Sequence, residues 1–113
     1  MPYIQTRTNT EISKETELKI KERLGQAIEI VGKSESWLMV ELVPKCNLYF
    51  KGDNSNPIAY VEVKLFGRSD ASSYNNLTSE ITKILNEELG ISPSNIYVSY
   101  SERQYWGWNG NNF

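Results

Sequence analysis

The 113-residue sequence contains no histidine and one cysteine, Cys46. A single cysteine cannot form an intrachain disulfide, and the absence of histidine removes both the commonest zinc ligand and the base of a serine or cysteine triad. Any metal would have to be held by carboxylates alone, and the acidic residues do not cluster in a suggestive way. We therefore expect no metal and no cofactor, and we interpret Cys46, which falls in a predicted loop, as incidental.

The chain also lacks a basic stretch and a long apolar run. Its 12 lysines and arginines are scattered among 14 acidic residues, so the net charge is −2 and no basic patch for nucleic acid is evident. No apolar run approaches the ~20 residues of a membrane-spanning helix, and the N-terminus has no basic region followed by an apolar stretch. We expect no nucleic-acid partner, no membrane partner and a cytoplasmic location, although secretion without a signal peptide would leave no mark in the sequence.

Two segments of the chain align without a gap: VGKSESWLMVEL at 31–42 and LGISPSNIYVSY at 89–100. In each segment a glycine, Gly32 or Gly90, stands where a helix should end, because glycine adopts the left-handed conformation without a steric penalty. The total length fits one compact domain. We therefore predict a single domain over 1–113, built by internal duplication of about 2–44 and 57–101 and followed by a C-terminal tail at 102–113.

Helical periodicity precedes each of these glycines. In the second copy, apolar side chains recur at helical spacing over 77–85, and Asp70 or a serine just after it can act as N-cap. In the first copy, a similar stripe covers 20–31, with Ser13 as the candidate N-cap. Gly25 inside that stripe costs roughly 1 kcal/mol relative to alanine. The stripe is long enough for the helix to form nevertheless.

Strand candidates precede the two helices, at 2–8 and 58–66, and follow them. The repeated order of strand, helix and strand favours parallel pairing with a right-handed crossover. We predict an α+β two-layer sandwich of duplicated β-α-β units, in which two helices cover one face of a four-stranded mixed sheet. The strands at 37–42 and 96–100 read as apolar on both faces, which is typical of strands that are buried on both sides. We therefore expect a homo-oligomer, with the tail at 105–113 reaching the sheet edge of a neighbouring subunit.

Several short motifs occur together along the chain: MP at 1–2, GK at 32–33, VP at 43–44, FG at 66–67, ISPSNIYVSY at 91–100 and WGWNGNNF at 106–113. In this combination the sequence resembles the macrophage migration inhibitory factor family of the tautomerase superfamily, over nearly its whole length. The motifs of the last strand and the tail are the most specific part of the resemblance.

This resemblance implies an assembly and an activity. Family members lose the initiator methionine, form homotrimers whose sheets surround a central barrel, and place an active site at each subunit interface. The implied activity is a keto-enol tautomerase of the phenylpyruvate tautomerase kind, an isomerase that acts on a small aromatic 2-oxo acid. The general base would be the amino-terminal Pro2, the substrate-binding lysine would be Lys33, Tyr97 would come from across the interface, and Trp108 would lie in the pocket. The remaining expected pocket residues are Tyr3, Phe66, Ser99 and Trp106.

Elementary chemistry agrees with a role for Pro2. A free α-amine has a reference pKa of about 8, and a general base works best when its pKa is near the operating pH. Burial among aromatic side chains and a neighbouring Lys33 cation would both lower the pKa of the Pro2 amine. Ordinary structural explanations also exist, since a proline often begins a strand, a lysine can follow a helix C-cap, and Tyr97 can pack in a core or an interface.

Three departures from the family pattern bear on function. Ser99 replaces the family's asparagine and Phe66 its aliphatic residue, so the pocket shape and the substrate preference are altered. The chain has IAYV at 58–61 where thiol-redox members have Cys-x-x-Cys. Two other functions remain open: a cytokine-like trimer that binds a protein partner and keeps only a vestigial pocket, and a small-ligand regulatory domain of the broad ferredoxin-like kind. Neither would require a free Pro2.

Overall fold

The computed structural model describes all residues from 1 to 113. Four strands form one sheet in the order β2-β1-β3-β4, and two helices cover one face of it. The pairs β1/β2 and β3/β4 are parallel, whereas β1 and β3 are antiparallel. In chain order the elements are β1 (Pro2–Thr8), α1 (Lys14–Ala27), β2 (Met39–Val43), β3 (Ala59–Phe66), α2 (Ala71–Leu89) and β4 (Ile96–Arg103). The predicted α+β two-layer fold with a mixed sheet is confirmed.

The helix ends form where the sequence predicts them. The side chain of Ser13 accepts a hydrogen bond from the backbone N–H of Thr16 at the start of α1, and Asp70 accepts one from Ser73 at the start of α2. At the other ends, α1 is followed directly by a 3₁₀ helix at Ile28–Val31 that stops at Gly32, and α2 stops at Gly90. The two glycines have φ values of +78° and +67°, the left-handed conformation that terminates a helix. The polypeptide can therefore turn directly back toward the sheet at both glycines.

A short 3₁₀ turn follows each of these glycines, Glu35–Trp37 in the first half and Pro93–Asn95 in the second. In the first half this turn occupies residues that the sequence pattern assigns to a strand, so β2 begins only at Met39. The order of helix, left-handed glycine, 3₁₀ turn and strand thus occurs twice. On this basis we propose that about 2–44 and 57–101 are two copies of one unit within a single domain, followed by the tail 102–113.

The core lies between the helices and the sheet. Along α2 the predicted apolar stripe is fully buried, and it meets alternating side chains of β1 and β3. Fully buried members include Ile4, Ile20, Leu24, Val61, Val63, Leu77, Ile81, Ile84 and Leu85. None of the helices combines the length and the apolar character that crossing a membrane requires.

The sheet face opposite the helices is mixed in character, which corrects the prediction that the strands are apolar on both sides. In β4, Ile96, Val98 and Tyr100 all pack toward the core, because alternate residues of a strand share one face. The sequence interpretation grouped Tyr100 with Tyr97 and Ser99, and so overstated the apolar character of the other side. That other face carries many polar side chains, including Gln5, Arg7, Glu41, Glu62, Lys64, Ser99 and Ser101. The face also keeps exposed apolar side chains such as Met39 and Tyr97, but they alternate with polar ones, so the homotrimer stays a prediction that rests mainly on the family resemblance.

The tail folds back on its own chain as a hairpin of β5 (Gly107–Trp108) and β6 (Asn111–Asn112). Its turn is formed by Asn109 and Gly110, both with positive φ, which is the geometry that an Asn-Gly pair favours in a two-residue hairpin. The N–H of Phe113 donates to the carbonyl oxygen of Trp106 at 3.1 Å and closes the hairpin. The tail thus presents its aromatic side chains near the end of β3, and contact with a neighbouring subunit stays a prediction.

Candidate active site

A cleft of about 440 Å³ lies at the N-terminal end of β1. Four segments meet there: the start of β1, the 3₁₀ turn before β2, the start of β2 and the C-terminal hairpin. Most of the lining is apolar, as is typical of a pocket for a small organic molecule. The principal lining residues are Pro2, Tyr3, Trp37, Met39, Trp106 and Trp108.

Aromatic rings form one wall of this cleft. Trp37 and Trp108 pack edge to face with ring centroids 4.9 Å apart, and Phe113 stacks nearly parallel to Trp108 at 6.5 Å. Phe113 also contacts the ring of Phe66 at 5.4 Å. Trp37 and Trp108 remain about half exposed, at 47% and 51%, so the wall is open to a ligand. Trp37 is a lining residue that the sequence motifs do not predict; parallel pairing of β1 with β2 is the signal that brings it close to Pro2.

Pro2 is buried at the start of β1, where it pairs with Leu65 of β3. Met1 precedes it, so the Pro2 nitrogen is part of a peptide bond in this form of the chain. The carbonyl oxygen of Met1 accepts a hydrogen bond from the Phe66 N–H at 3.0 Å. Burial, and secondly the positive charge of Lys33, lower the pKa of the Met1 amino group below its ordinary value of 8.0. An amine at this end of the chain therefore loses its proton more readily than a free one.

Lys33 reaches this N-terminal region from the turn after Gly32. Its Nζ donates a hydrogen bond to the carbonyl oxygen of Phe66 at 3.0 Å. The backbone of Phe66 therefore contacts Met1 through its N–H and Lys33 through its carbonyl oxygen. This arrangement brings the lysine, the N-terminal strand and the end of β3 together, as the sequence predicts, and the Lys33 ammonium bonds a carbonyl of β3.

Tyr3 lines the cleft, but its hydroxyl group is engaged outside it. The hydroxyl donates a hydrogen bond to the Glu41 carboxylate, which also accepts one from Gln5 Nε2 at 2.8 Å. The bond to Glu41 is the main cause that raises the pKa of Tyr3, and the bonds from Tyr3 and Gln5 lower the pKa of Glu41, because they favour the ionised carboxylate beside the protonated phenol. Tyr3 therefore contributes a wall to the cleft and is not poised to exchange a proton with a ligand.

Tyr97 and Ser99 lie away from this cleft within the chain. Pro2 is level with Leu65 of β3 and Glu102 of β4, and Tyr97 precedes Glu102 by five residues, about 17 Å along the strand. There the Tyr97 ring packs on Phe50 at 5.1 Å, and Ser99 shares a hydrogen bond of 2.8 Å with Tyr60. Of the predicted site residues, the cleft is lined by Pro2, Tyr3, Trp106 and Trp108. Lys33 and Phe66 lie beside the N-terminus but outside the lining, and Tyr97 and Ser99 lie further along β4.

Residues suited to hold a metal ion are not grouped anywhere in the chain, since no three cysteine, aspartate or glutamate side chains converge. The thiol of Cys46 is partly buried and donates to the carbonyl oxygen of Val43 at 3.2 Å. The chemistry available at the cleft is therefore that of an amine, an ammonium group, backbone N–H groups and aromatic faces.

The sequence matches the family model for macrophage migration inhibitory factor (MIF) over residues 1–113. The chain belongs to the MIF family. It is 27% identical to mouse macrophage migration inhibitory factor over 115 residues, which cover 100% of this chain and 99% of the mouse protein. Among solved structures, MIF2 of Leishmania major superposes with a TM-score of 0.93 at 30% identity, covering 100% of this chain and 97% of that one. The MIF homologue of Prochlorococcus marinus gives a TM-score of 0.87 at 26% identity, with 98% of each chain covered. The MIF fold of this chain therefore extends over its whole length.

Proposed function

We propose that this MIF-family protein is a keto-enol tautomerase of the phenylpyruvate tautomerase kind. Its general base would be the amine of Pro2, exposed by removal of Met1, and its substrate a small aromatic 2-oxo acid. The observation that carries the proposal is the convergence of the N-terminal end of β1, the Lys33 ammonium and the Phe66 backbone beside an aromatic cleft.

Removal of Met1 would turn the Pro2 nitrogen into a secondary amine at the edge of the cleft. The same burial and the same Lys33 charge that lower the pKa of the Met1 amine would act on it. A neutral amine can take a proton from C3 of the 2-oxo acid; the electrons of that C–H bond form the C2–C3 double bond, and the carbonyl π electrons move to the oxygen. The protonated Pro2 amine then gives its proton to the enolate oxygen, which completes the enol and regenerates the base, and the reverse transfers regenerate the keto acid.

The Phe66 backbone and Lys33 would hold the charged end of the substrate. With Met1 removed, the Phe66 N–H loses its acceptor and becomes a free donor next to the Pro2 nitrogen. Lys33, which the Phe66 carbonyl oxygen holds in place, supplies a cation within the same region. Together they can bind the carboxylate and stabilise the negative charge that develops on the enolate oxygen. Trp37 and Trp108 supply faces against which the aromatic ring can pack.

The proposed site also includes Tyr97 and Ser99, and these residues require a second subunit. Along β4, Tyr97 lies about 17 Å and Ser99 about 10 Å from the level of Pro2, so within one chain neither reaches the cleft. We propose that they act in a homotrimer, in which the strand of one subunit borders the cleft of the next. Light scattering on the purified protein should then give three times the 13.0 kDa chain mass, and a stable monomer would remove both residues from the site.

The activity is tested with untagged protein whose mass shows that Met1 is absent. We expect phenylpyruvate tautomerisation to fall by about 100-fold or more in a Pro2→Gly variant and in protein that retains Met1 or an N-terminal tag, since the positioned base contributes on that order. Pro57→Gly, a loop substitution away from the cleft, is the matched control and should keep the wild-type rate. Undiminished activity in either modified protein would refute the role of Pro2, and Met1 retained in the mature protein would favour the protein-binding alternative.

A further inference from the structure

A second, polar cleft of about 310 Å³ lies at the carboxyl ends of β3 and β4. It is lined by Gly67, Arg68, Glu102, Arg103 and Gln104, and no hydrophobic side chain contributes to it. The two strands are joined there by a hydrogen bond of 3.1 Å from the Gly67 N–H to the carbonyl oxygen of Arg103. This composition is suited to a charged group and unsuited to an aromatic ring.

The two arginines of this cleft have no acidic partner. None of the ion pairs in the chain includes Arg68 or Arg103. The one acidic residue in the lining, Glu102, is already engaged, because its Oε2 accepts hydrogen bonds from the Tyr74 hydroxyl at 2.6 Å and from the Ser69 N–H at 3.3 Å. The cleft therefore carries an excess of positive charge, and ten guanidinium N–H donors are without a carboxylate.

Gly67 connects this cleft to the proposed active site. A Cβ atom on Gly67 would lie 3.9 Å from Lys33 Nζ, so the lysine passes close to the glycine backbone that borders the arginines. Gly67 has φ +82°, a conformation that a residue with a side chain adopts only with strain. Arg68 and Arg103 thus line the same cleft as Gly67, and the Lys33 ammonium lies next to that glycine, so the three positive charges favour an anion in this region.

We propose that Arg68 and Arg103 bind a second carboxylate of the substrate, so that the site accepts 2-oxo dicarboxylates as well as aromatic 2-oxo acids. The proposal depends on the proposed tautomerase function. Lys33, whose ammonium group approaches Gly67 of the arginine cleft and is bonded to the Phe66 carbonyl oxygen, would hold the carboxylate next to the carbonyl group. The substituent on C3 then points either into the aromatic cleft, if it is a ring, or into the arginine cleft, if it is a carboxylate. The planar fork of arginine matches a carboxylate in two parallel hydrogen bonds.

The test compares two substrates that differ in the C3 substituent, phenylpyruvate and oxaloacetate. The measured quantity is the ratio of kcat/KM for oxaloacetate to kcat/KM for phenylpyruvate, in the processed wild type and in Arg68→Ala/Arg103→Ala. We expect the ratio to fall by about ten-fold or more in the double variant, because charge-assisted hydrogen bonds to the second carboxylate are lost. Lys14→Ala/Lys83→Ala removes the same charge from exposed helix positions outside both clefts and should leave the ratio unchanged.

A titration with inorganic phosphate separates a substrate subsite from a site for a free anion. Phosphate should inhibit the oxaloacetate reaction competitively in the wild type and less in the double variant. An unchanged ratio would overturn the proposal, whether phosphate still binds at the arginines or not. If kcat/KM falls equally for both substrates in the double variant, and high salt abolishes that fall, the proposal is also overturned, since the arginines then act only by long-range attraction. Wild-type protein without activity on either substrate would refute the tautomerase function itself, whereas activity with an unchanged ratio would leave that function standing.

Discussion

Thr6 is the one buried polar side chain in the chain without a hydrogen-bond partner. Thr6 is fully buried on the core face of β1, and its Oγ1 has no hydrogen-bond donor or acceptor as a partner. A buried hydroxyl without a partner costs about 1 to 3 kcal/mol in lost solvation. Thr6→Val replaces this hydroxyl with a methyl group of similar size. We therefore expect the free energy of unfolding to rise by about 1 to 2 kcal/mol, which for a domain of this length corresponds to about 4 °C in Tm per kcal/mol.

Thr8 provides a matched control two residues further along the same face of β1. It is equally buried, but its Oγ1 donates to the carbonyl oxygen of Ile58 at 2.7 Å. Thr8→Val removes that bond and leaves a buried acceptor with one partner fewer, so we expect a loss of about 1 to 2 kcal/mol. Urea unfolding at one fixed protein concentration measures both changes through the midpoint, provided the slope is unchanged. A destabilised Thr6→Val protein, or equal effects of the two substitutions, would refute the reasoning.

Two further predictions concern the site and the helices. In the processed protein, Lys33→Gln should move the acidic limb of the pH profile of kcat/KM to higher pH, because loss of the cation raises the pKa of the Pro2 amine and the base must be neutral to act. Lys83→Gln is the control and should leave the acidic limb where it is. An unmoved limb in the Lys33 variant would contradict the electrostatic role of Lys33. Arg23 of α1 contacts Glu87 and Glu88 of α2 at 2.8 and 3.0 Å. Arg23→Ala should therefore lower the free energy of unfolding, measured by denaturant titration, by about 1 kcal/mol in low salt and by less in high salt. Lys14→Ala, which removes an exposed ion pair, should change it by less than about 0.5 kcal/mol.

Local signals were sufficient to predict the elements of the fold. The strand β1 has the predicted bounds, and Ser13, Asp70, Gly32 and Gly90 terminate helices as expected, because caps and left-handed glycines act within a few residues of their own position. The C-terminal hairpin was missed although its Asn-Gly pair is a local signal as well. The face assignment of β4 was wrong because one residue was counted on the wrong side of a period-two pattern.

The site could be predicted only in part, since its contacts arise from tertiary structure. The N-terminus and Lys33 come together through hydrogen bonds to the backbone N–H and carbonyl oxygen of Phe66. Any residue type at position 66 would offer the same backbone groups, so the side chain there does not predict these contacts. Trp37 lines the cleft because β1 and β2 pair in parallel with a particular register. The residues of the 3₁₀ turn alone do not predict that register. The proposed role of Tyr97 requires a second subunit, so neither a local pattern nor a single chain can test it.

The hydrogen bond between the Met1 carbonyl oxygen and the Phe66 N–H has a practical consequence for the proposed enzyme. In the unprocessed chain, the first residue occupies the donor that a substrate oxygen would use and blocks the nitrogen that would take the proton. Under the proposed function, the newly made polypeptide would be an inactive precursor until an aminopeptidase removes Met1. The specific activity of any preparation should rise in proportion to its processed fraction, and intact mass measurement becomes a count of competent active sites.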